Sequence, residues 1–179
     1  MLNNYEKFLK EFDSIIEGYF NSQKANVVCK EGCSGCCEVG DYPFTQLEMM
    51  YLMQGYRSLP VYLQNEVRNN LLQIKQRRVS THLYYKCPFL TGGRCSVYKY
   101  RGITCRTFGL AYLREDNTVH LPECVNEGLC YSKVTKDGVL SAEPVKEDLS
   151  LLKITEGKLA KKYNLDFGQS RSLIDWFPD

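Results

Sequence analysis

The sequence predicts a small α+β protein, a mainly helical domain with an irregular cysteine-rich region and one short β-hairpin. Two observations indicate this class. Near both ends of the chain, apolar residues recur at intervals of three and four, which is the spacing of one face of an amphipathic helix. Between residues 87 and 130 the apolar runs are short and broken by glycine and proline, which is typical of strands and turns.

The chain has the size of one ordinary globular domain. Its 179 residues are enough to bury a core, since single domains most often contain roughly 100 to 150 residues. A hydrophobic fraction of 44% and a charged fraction of 25% argue against disorder. We expect a single domain over 1–179 with a cysteine-rich core at 25–130, on which an N-terminal helix at 1–22 and a C-terminal helical tail at 143–179 pack.

Two helices are predicted before residue 58. Apolar side chains over residues 2–20 fall on one helical face, which indicates an N-terminal helix. A second helix should begin at Thr45, because Thr45 and Glu48 have the spacing of a capping box, in which each side chain binds a free backbone N–H of the first turn. This helix should end near Gln54. The glycine-rich segment 29–40, before it, is predicted to be a loop.

Ser58 and Pro60 open a third predicted helix, which ends in the cations Lys75, Arg77 and Arg78. Cations at a helix C-terminus favourably oppose the helix dipole, so we interpret this basic run as a solvated helix end and not as a binding patch.

The remaining elements are a hairpin and a tail. Apolar runs at 108–113 and 118–121 flank the polar turn 114–117, which predicts a β-hairpin. Helical spacing returns over 143–163, and the apolar residues at 173–177 should dock on the body of the protein.

Composition and cysteine content narrow the range of functions. A net charge of +2 gives no reason to expect nucleic-acid binding. The N-terminus carries charges, and no apolar run approaches the roughly 18 residues that cross a bilayer, so we expect a cytoplasmic protein with no membrane contact. The nine cysteines would stay reduced there, and an odd number cannot all pair within one chain. Metal ligation is the leading explanation for so many thiols.

The strongest signal is a group of four cysteines within nine positions, Cys29, Cys33, Cys36 and Cys37. A gap of two residues, as between Cys33 and Cys36, lets both sulfurs reach one ion at about 2.3 Å. The adjacent Cys36 and Cys37 project in different directions in most backbone conformations. We therefore expect one of them to bind metal while the other packs, bridges or serves a second site.

The other five thiols are spread over a region with little core of its own: Cys87, Cys95, Cys105, Cys124 and Cys130. A metal centre that ties this region to the first group would stabilise the fold by on the order of 10 kcal/mol. For Cys124 and Cys130 a role as small buried side chains fits as well as ligation. His120 could complete a mixed site with Cys124, although a satisfied or surface histidine fits both His120 and His82 better.

Cations near the cysteines could offset the negative charge of a thiolate site, which is about −2 for four thiolates around Zn²⁺ or a cluster core of charge two. Lys30, Lys86, Arg94 and Arg106 each adjoin a cysteine in sequence. Arg101 lies in the same segment. We expect Arg106 and Arg101 to contact the bound centre as donors to sulfur, and Arg106, which directly follows Cys105, to lie inside the site.

A set of motifs resembles the YkgJ-type cysteine-cluster family, which is described as zinc- or iron-chelating. The resemblance covers roughly residues 25 to 125. It rests on the Cys29–Cys37 group, Cys87-Pro88-Phe89-Leu90, Arg94-Cys95-Ser96-Val97-Tyr98 and Arg101 followed by Cys105-Arg106-Thr107-Phe108. It implies that the metal ligands come from Cys29, Cys33, Cys36, Cys37, Cys87, Cys95 and Cys105. Gly102 stands where this family usually has proline, a difference that concerns the local turn and not the thiols.

The spacing of Cys29, Cys33 and Cys36 is also similar to that of radical enzymes that use S-adenosylmethionine. Those enzymes usually have an aromatic residue before the third cysteine, where this chain has Gly35, and they need a barrel of alternating strands and helices that the sequence does not predict. We do not adopt this interpretation.

Three functions fit the sequence. The first is a protein that holds a 4Fe-4S cluster through four of the seven implied cysteines and has a redox, maturation or sensing role. The second is a structural zinc protein whose Cys₄ sites brace a protein-recognition surface. The third is a small thiol or methyl-transfer enzyme that uses a cysteine of low pKa. We expect the partner to be another protein.

Overall fold

The structure is a computed structural model that describes residues 1–29, 32–38, 41–77 and 85–177. Helices dominate it, and its strands are short antiparallel pairs, which confirms the predicted α+β class. The predicted roles of Lys30, Arg78 and His82 fall outside the described residues. Within those ranges, no helix is both long enough and apolar enough to cross a membrane.

The helices and strands have the following bounds. The α-helices are α1 (Leu2–Ser22), α2 (Gly35–Glu38), α3 (Gln46–Arg57), α4 (Val61–Arg77), α5 (Ile103–Thr107), α6 (Leu151–Thr155) and α7 (Lys158–Lys162). The strands pair as β1 (Pro43–Thr45) with β8 (Ser170–Ser172), β2 (Leu90–Thr91) with β3 (Arg94–Cys95), β4 (Tyr112–Leu113) with β5 (Val119–His120), and β6 (Thr135–Lys136) with β7 (Val139–Leu140). Single 3₁₀ turns lie at Tyr98–Tyr100, Glu123–Glu127, Ser132–Val134 and Leu173–Trp176.

The chain divides into two compact units, and each contains cysteines. The first unit comprises residues 1–31 and 104–166, and the second comprises residues 32–103 and 167–179. The prediction of a single domain stays a prediction.

Helix α1 of the first unit confirms the predicted N-terminal helix. Its apolar stripe buries Tyr5, Phe8 and Phe12. The Phe8 ring stacks on Phe12 with centroids 5.6 Å apart and meets the edge of Tyr163 at 6.5 Å. Aromatic contacts of this kind add about 1 kcal/mol each to the burial of apolar area. They attach the C-terminal part of the unit to α1.

The predicted hairpin is present, with shorter strands than the apolar runs suggested. Strand β4 pairs with β5 in the register Tyr112 to His120 and Leu113 to Val119. Asn117 takes a left-handed conformation with φ of 63° in the turn, which asparagine tolerates better than most residues.

The predicted helix over 143–163 is wrong in its first half. Val145 is extended and bridges to β4, donating its N–H to Ala111 and accepting from the N–H of Leu113. The pairing with β4 explains the difference, because it uses the carbonyl of Val145 that a helix would need, and Pro144 additionally disfavours helical geometry at Glu143. The second half is divided by Gly157 into α6 and α7.

The second unit contains α3 and α4, which the sequence predicts correctly. Helix α3 has the full capping box: the N–H of Glu48 donates to the Thr45 hydroxyl, and the Glu48 carboxylate accepts from the N–H of Thr45 at 2.8 Å. It runs to Arg57, past the predicted end. Segment 29–40, predicted as a loop, contains the four-residue helix α2, which buries no side chain.

The end of the chain docks on the second unit, as predicted. Strand β8 pairs with β1, and Leu173 and Ile174 behind it are buried. The indole N–H of Trp176 donates to the carbonyl of Phe44 at 3.0 Å.

Glu48 connects this framework to the segment before α5. Its side chain is 1% exposed, and its second carboxylate oxygen accepts from the backbone N–H of Ile103 at 2.6 Å. One carboxylate thus satisfies buried donors from two parts of the unit, where an unpaired donor would cost about 1 to 3 kcal/mol.

We expect Glu48→Ala to destabilise the protein by about 3 kcal/mol, because it leaves the N–H groups of Thr45 and Ile103 without their acceptor. Urea unfolding measures the change. The matched control is Glu66→Ala on the exposed face of α4, which should change the free energy of unfolding by less than about 0.5 kcal/mol. Equal effects of the two substitutions would contradict this role for Glu48.

Candidate functional site

The second unit brings four of the predicted ligands together, and we call Cys36, Cys37, Cys87 and Cys95 the second-unit cysteine group. The sulfurs of Cys36 and Cys37 are 3.9 Å apart. The N–H of Cys87 donates to the carbonyl of Cys37 at 2.7 Å, and the thiol of Cys37 donates to the sulfur of Cys87. Cys95 is close enough for its charge to act on Cys37.

Local turns place these thiols. Gly32 has a φ of 85°, and the N–H of Cys37 donates to the carbonyl of Ser34 at 2.7 Å to close the turn into α2. Gly92 and Gly93, with φ of 55° and 75°, form the tight turn between β2 and β3. This hairpin sets Cys95 opposite Leu90. Short turns, and not long elements, therefore position the group.

Burial and mutual contact make three of these thiols, those of Cys36, Cys37 and Cys95, poor acids. The Cys36 thiol donates to Cys37, and this hydrogen bond together with burial raises the pKa of Cys36 far above its ordinary value. The same hydrogen bond lowers the pKa of Cys37. The pKa of Cys37 nevertheless rises to about 12, because of the hydrogen bond from Cys37 to Cys87, burial, and the charges of Cys87 and Cys95. Burial also raises the pKa of Cys95. A positive charge among the sulfurs would favour deprotonation of these three thiols.

Arg101 supplies part of that charge. Its guanidinium lowers the pKa of both Cys36 and Cys95, although the other effects outweigh it. The side chain lies 4.0 Å from the ring centroid of Tyr98 and donates to the Tyr98 carbonyl at 2.9 Å. Arg101 is thus held beside the second-unit cysteine group, and its predicted contact with a bound centre stays a prediction.

The remaining residues near α2 are more exposed. Cys33 is exposed immediately before α2, and Lys86 pairs with Glu38 at 2.9 Å. The predicted role of Cys33 as a ligand stays a prediction.

The first unit contains a further set of three thiols, Cys29, Cys124 and Cys130, which we call the first-unit thiol group. The sulfurs of Cys29 and Cys130 are 3.4 Å apart, and the Cys124 thiol also donates to Cys130. Cys124 and Cys130 are 4% and 1% exposed, whereas Cys29 is exposed. The sequence placed Cys29 with the cysteines that follow it and left the role of the other two open, since neither has a cysteine within three positions.

The surroundings of Cys130 favour a thiolate. Hydrogen bonds from the Cys124 and Cys29 thiols, and then from the N–H groups of Val28 and Cys29, lower the pKa of Cys130 well below its ordinary value in spite of burial. Tyr131 holds the segment in place: it takes a left-handed conformation with φ of 59°, and its N–H donates to the carbonyl of Asn26 at 2.7 Å.

Cys105 and Arg106 lie in the short helix α5. Cys105 is partly buried, and Arg106 is 5% exposed with its guanidinium paired to Asp13 of α1 at 2.5 Å. His120 stacks on Tyr112 with centroids 4.4 Å apart, and burial followed by the charge of Arg114 lowers its pKa. The predicted contacts of Arg106 and Cys105 with a bound centre stay predictions.

The described ranges contain no group of three or more Cys, His, Asp or Glu side chains whose arrangement could hold a metal ion. Metal binding at either cysteine group would therefore require the thiols to move. Comparisons with models of protein families, with curated proteins and with solved structures find no match.

We expect Gly109→Ala to destabilise the protein by about 3 kcal/mol. Gly109 has a φ of 95°, and an added Cβ would collide with the sulfur of Cys29, so that backbone strain and overpacking both contribute. The control Gly128→Ala has a φ of 76° with open space beside it and should cost about 1 kcal/mol. Urea unfolding measures both.

The collision can be isolated by a double-mutant cycle. Adding Cys29→Ala to Gly109→Ala removes the sulfur and should recover about 1 to 2 kcal/mol. Strictly additive effects would contradict the close approach of Gly109 to Cys29.

Proposed function

We propose that this protein binds a metal centre through thiolates, and that Cys36, Cys37, Cys87 and Cys95 hold a 4Fe-4S cluster. The observation that carries the proposal is the convergence of these thiols from separate segments of the second unit, with Cys37 bonded to Cys36 on one side and to Cys87 on the other. The seven-cysteine set implied by the YkgJ-type resemblance contains all four.

The chemistry of the donor set supports this choice. The described residues of the second unit include no histidine, so the candidate ligands there are all sulfur, which iron-sulfur clusters prefer. The raised pKa of Cys37 means that this thiol holds its proton in the absence of metal, and metal binding would release it. Arg101 would offset the residual negative charge of the bound cluster.

Zinc is the second candidate, and one distance favours it. Two sulfurs that each lie 2.3 Å from one tetrahedral ion are roughly 3.8 Å apart. The separation of 3.9 Å between the sulfurs of Cys36 and Cys37 is close to this value. In a cluster each thiolate binds a different iron, so the two sulfurs would have to move apart, or one of them would stay outside the ligand set.

Metal analysis of protein purified without oxygen tests the proposal. We expect brown material with a broad visible absorption band and matching amounts of iron and acid-labile sulfide. Cys36→Ser and Cys95→Ser should lose most of the iron because each removes a soft ligand. The control Cys124→Ser changes a buried thiol of the first unit and should keep the iron. Colourless protein with stoichiometric zinc would contradict the cluster and support the zinc site. Metal-free protein would contradict both.

Arg101 provides a second test of the same site. Arg101→Gln should lower the retention of the bound metal in chelator competition by about 10- to 100-fold, because it removes the positive charge that favours thiolates at Cys36 and Cys95. Arg101→Lys should retain part of the effect. The control Arg94→Gln removes an exposed charge that adjoins Cys95 in sequence and should change retention less than threefold. Equal losses for the two Gln variants would contradict a specific role for Arg101.

A further inference from the structure

The proposed metal centre makes no use of the first-unit thiol group, although its three sulfurs are in contact. Cys29 and Cys130 are 101 positions apart in the chain, yet their sulfurs are 3.4 Å apart. Thiols at that distance need to move little more than 1 Å to form a bond, since a disulfide is about 2.05 Å long. Chain folding, and not local spacing, creates this pair.

The two thiols differ in accessibility. Cys29 is exposed, whereas Cys130 is 1% exposed and packs in a small core with Cys124, Ala111 and Tyr131. A small oxidant in solution can therefore reach Cys29, and Cys130 can be reached only from inside the unit. The pair thus has an outer and an inner thiol.

The inner thiol lies beside two other thiols. The Cys29 thiol lies 3.4 Å from the sulfur of Cys130, and Cys124 packs with Cys130 in the small core. Thiols that donate to a neighbouring sulfur stabilise negative charge on it, and a thiolate is the form that attacks a disulfide. The fold also keeps space beside both sulfurs, since Gly109 has no side chain where a Cβ would meet Cys29 and touch Cys130.

We propose that Cys29 and Cys130 form a thiol–disulfide exchange site for small soluble disulfides such as oxidised glutathione, with Cys29 as the entry thiol and Cys130 as the resolving thiol. This inference does not depend on the metal centre of the second unit.

The exchange takes two steps. Cys29 gives its proton to the adjacent sulfur of Cys130 and, as the thiolate, attacks one sulfur of the small disulfide. A mixed disulfide forms at Cys29, the original sulfur–sulfur bond breaks, and one small thiolate leaves with the proton now on Cys130. The Cys130 thiolate then attacks the sulfur of Cys29, which forms the Cys29–Cys130 disulfide and releases the second small thiolate. The proton of Cys29 ends on the first small thiol, and the second small thiolate takes a proton from solvent, so one disulfide is reduced for each one formed.

Cys124 acts as a positioning residue in this scheme. Its thiol donates to Cys130 and is 4% exposed, so a small disulfide cannot reach it directly. It orients the Cys130 sulfur and supports its charge. A serine hydroxyl in its place can still donate, whereas alanine cannot.

The test treats the reduced, folded full-length protein with excess oxidised glutathione, blocks free thiols with N-ethylmaleimide and maps the tryptic peptides. Cleavage after Lys24, Lys30, Arg114 and Lys133 puts Cys29 in peptide 25–30 and places Cys124 and Cys130 together in peptide 115–133. A Cys29–Cys130 bond therefore joins two peptides, whereas a Cys124–Cys130 bond stays within one. We expect the joined pair to be the main product, with little glutathione left on Cys29.

Three variants separate the steps. Cys130→Ser should leave glutathione on Cys29 as a stable product, and Cys29→Ser should abolish the joined peptides. Cys124→Ala should slow the second step about tenfold, so that the mixed disulfide accumulates, while Cys124→Ser should restore most of the rate. Protein unfolded in guanidinium is the control, in which Cys29 should pair without selectivity.

Several outcomes would overturn the proposal. These are stable glutathione on Cys29 in the unmodified chain, a bond from Cys29 to peptide 31–57, a bond confined to peptide 115–133, or a metal ion on the first-unit thiols that protects them. Iron and zinc are measured on the same samples. If the joined peptides are missing while the second unit keeps its metal, only this inference is contradicted. If the joined peptides are present but the protein holds no metal, only the proposed function is contradicted.

Discussion

The junction between Cys37 and Cys87 determines how the second unit presents its thiols. The backbone bond of 2.7 Å from the Cys87 N–H to the Cys37 carbonyl joins the segment that begins at Gly32 to the segment that leads into β2. The thiol of Cys37 donates to Cys87 at the same place, and Cys36 donates in turn to Cys37. Weak S–H donors and partial burial solvate a negative charge on these sulfurs poorly. A cation beside them would stabilise that charge.

The two cysteine groups show how surroundings decide the chemistry of one residue type. In the second unit the thiols donate to one another, and burial and neighbouring negative charge raise the pKa of Cys36, Cys37 and Cys95. In the first unit the donors converge on a single sulfur, and the pKa of Cys130 falls despite burial. The first arrangement suits a site that a metal completes, and the second suits a sulfur that attacks another sulfur.

Local signals in the sequence predicted much of the fold. The stripe of α1, the capping box of α3 and the polar turn of the β4–β5 hairpin each depend on residues a few positions apart, and the structure has all three. The first half of the helix expected over 143–163 is absent. Apolar spacing predicted it, but Pro144 lies in this segment and the backbone of Val145 pairs with β4.

The candidate sites were less predictable, because they depend on contacts between distant parts of the chain. The motifs implied seven cysteines without separating them into groups, and the structure brings Cys36, Cys37, Cys87 and Cys95 together in the second unit. Motif spacing could not assign Cys29 to Cys130, since 101 positions separate them and no local pattern marks the second residue. Gly109, shortly after the Cys105 motif, is the residue that makes room for the Cys29 sulfur. The sequence alone does not show this, because the contact is visible only in the folded structure.

Tyr131 illustrates how few amino acids can occupy a position that has two separate demands. Its left-handed backbone, with φ of 59°, suits glycine or asparagine, whereas its ring is 1% exposed and its hydroxyl reaches Gln23 at 3.4 Å. Glycine or asparagine would relax the main chain but leave a void in the small core, and a branched aliphatic side chain would fill part of the void at the expense of the main chain. Among related sequences, this position should therefore vary less than its burial alone implies.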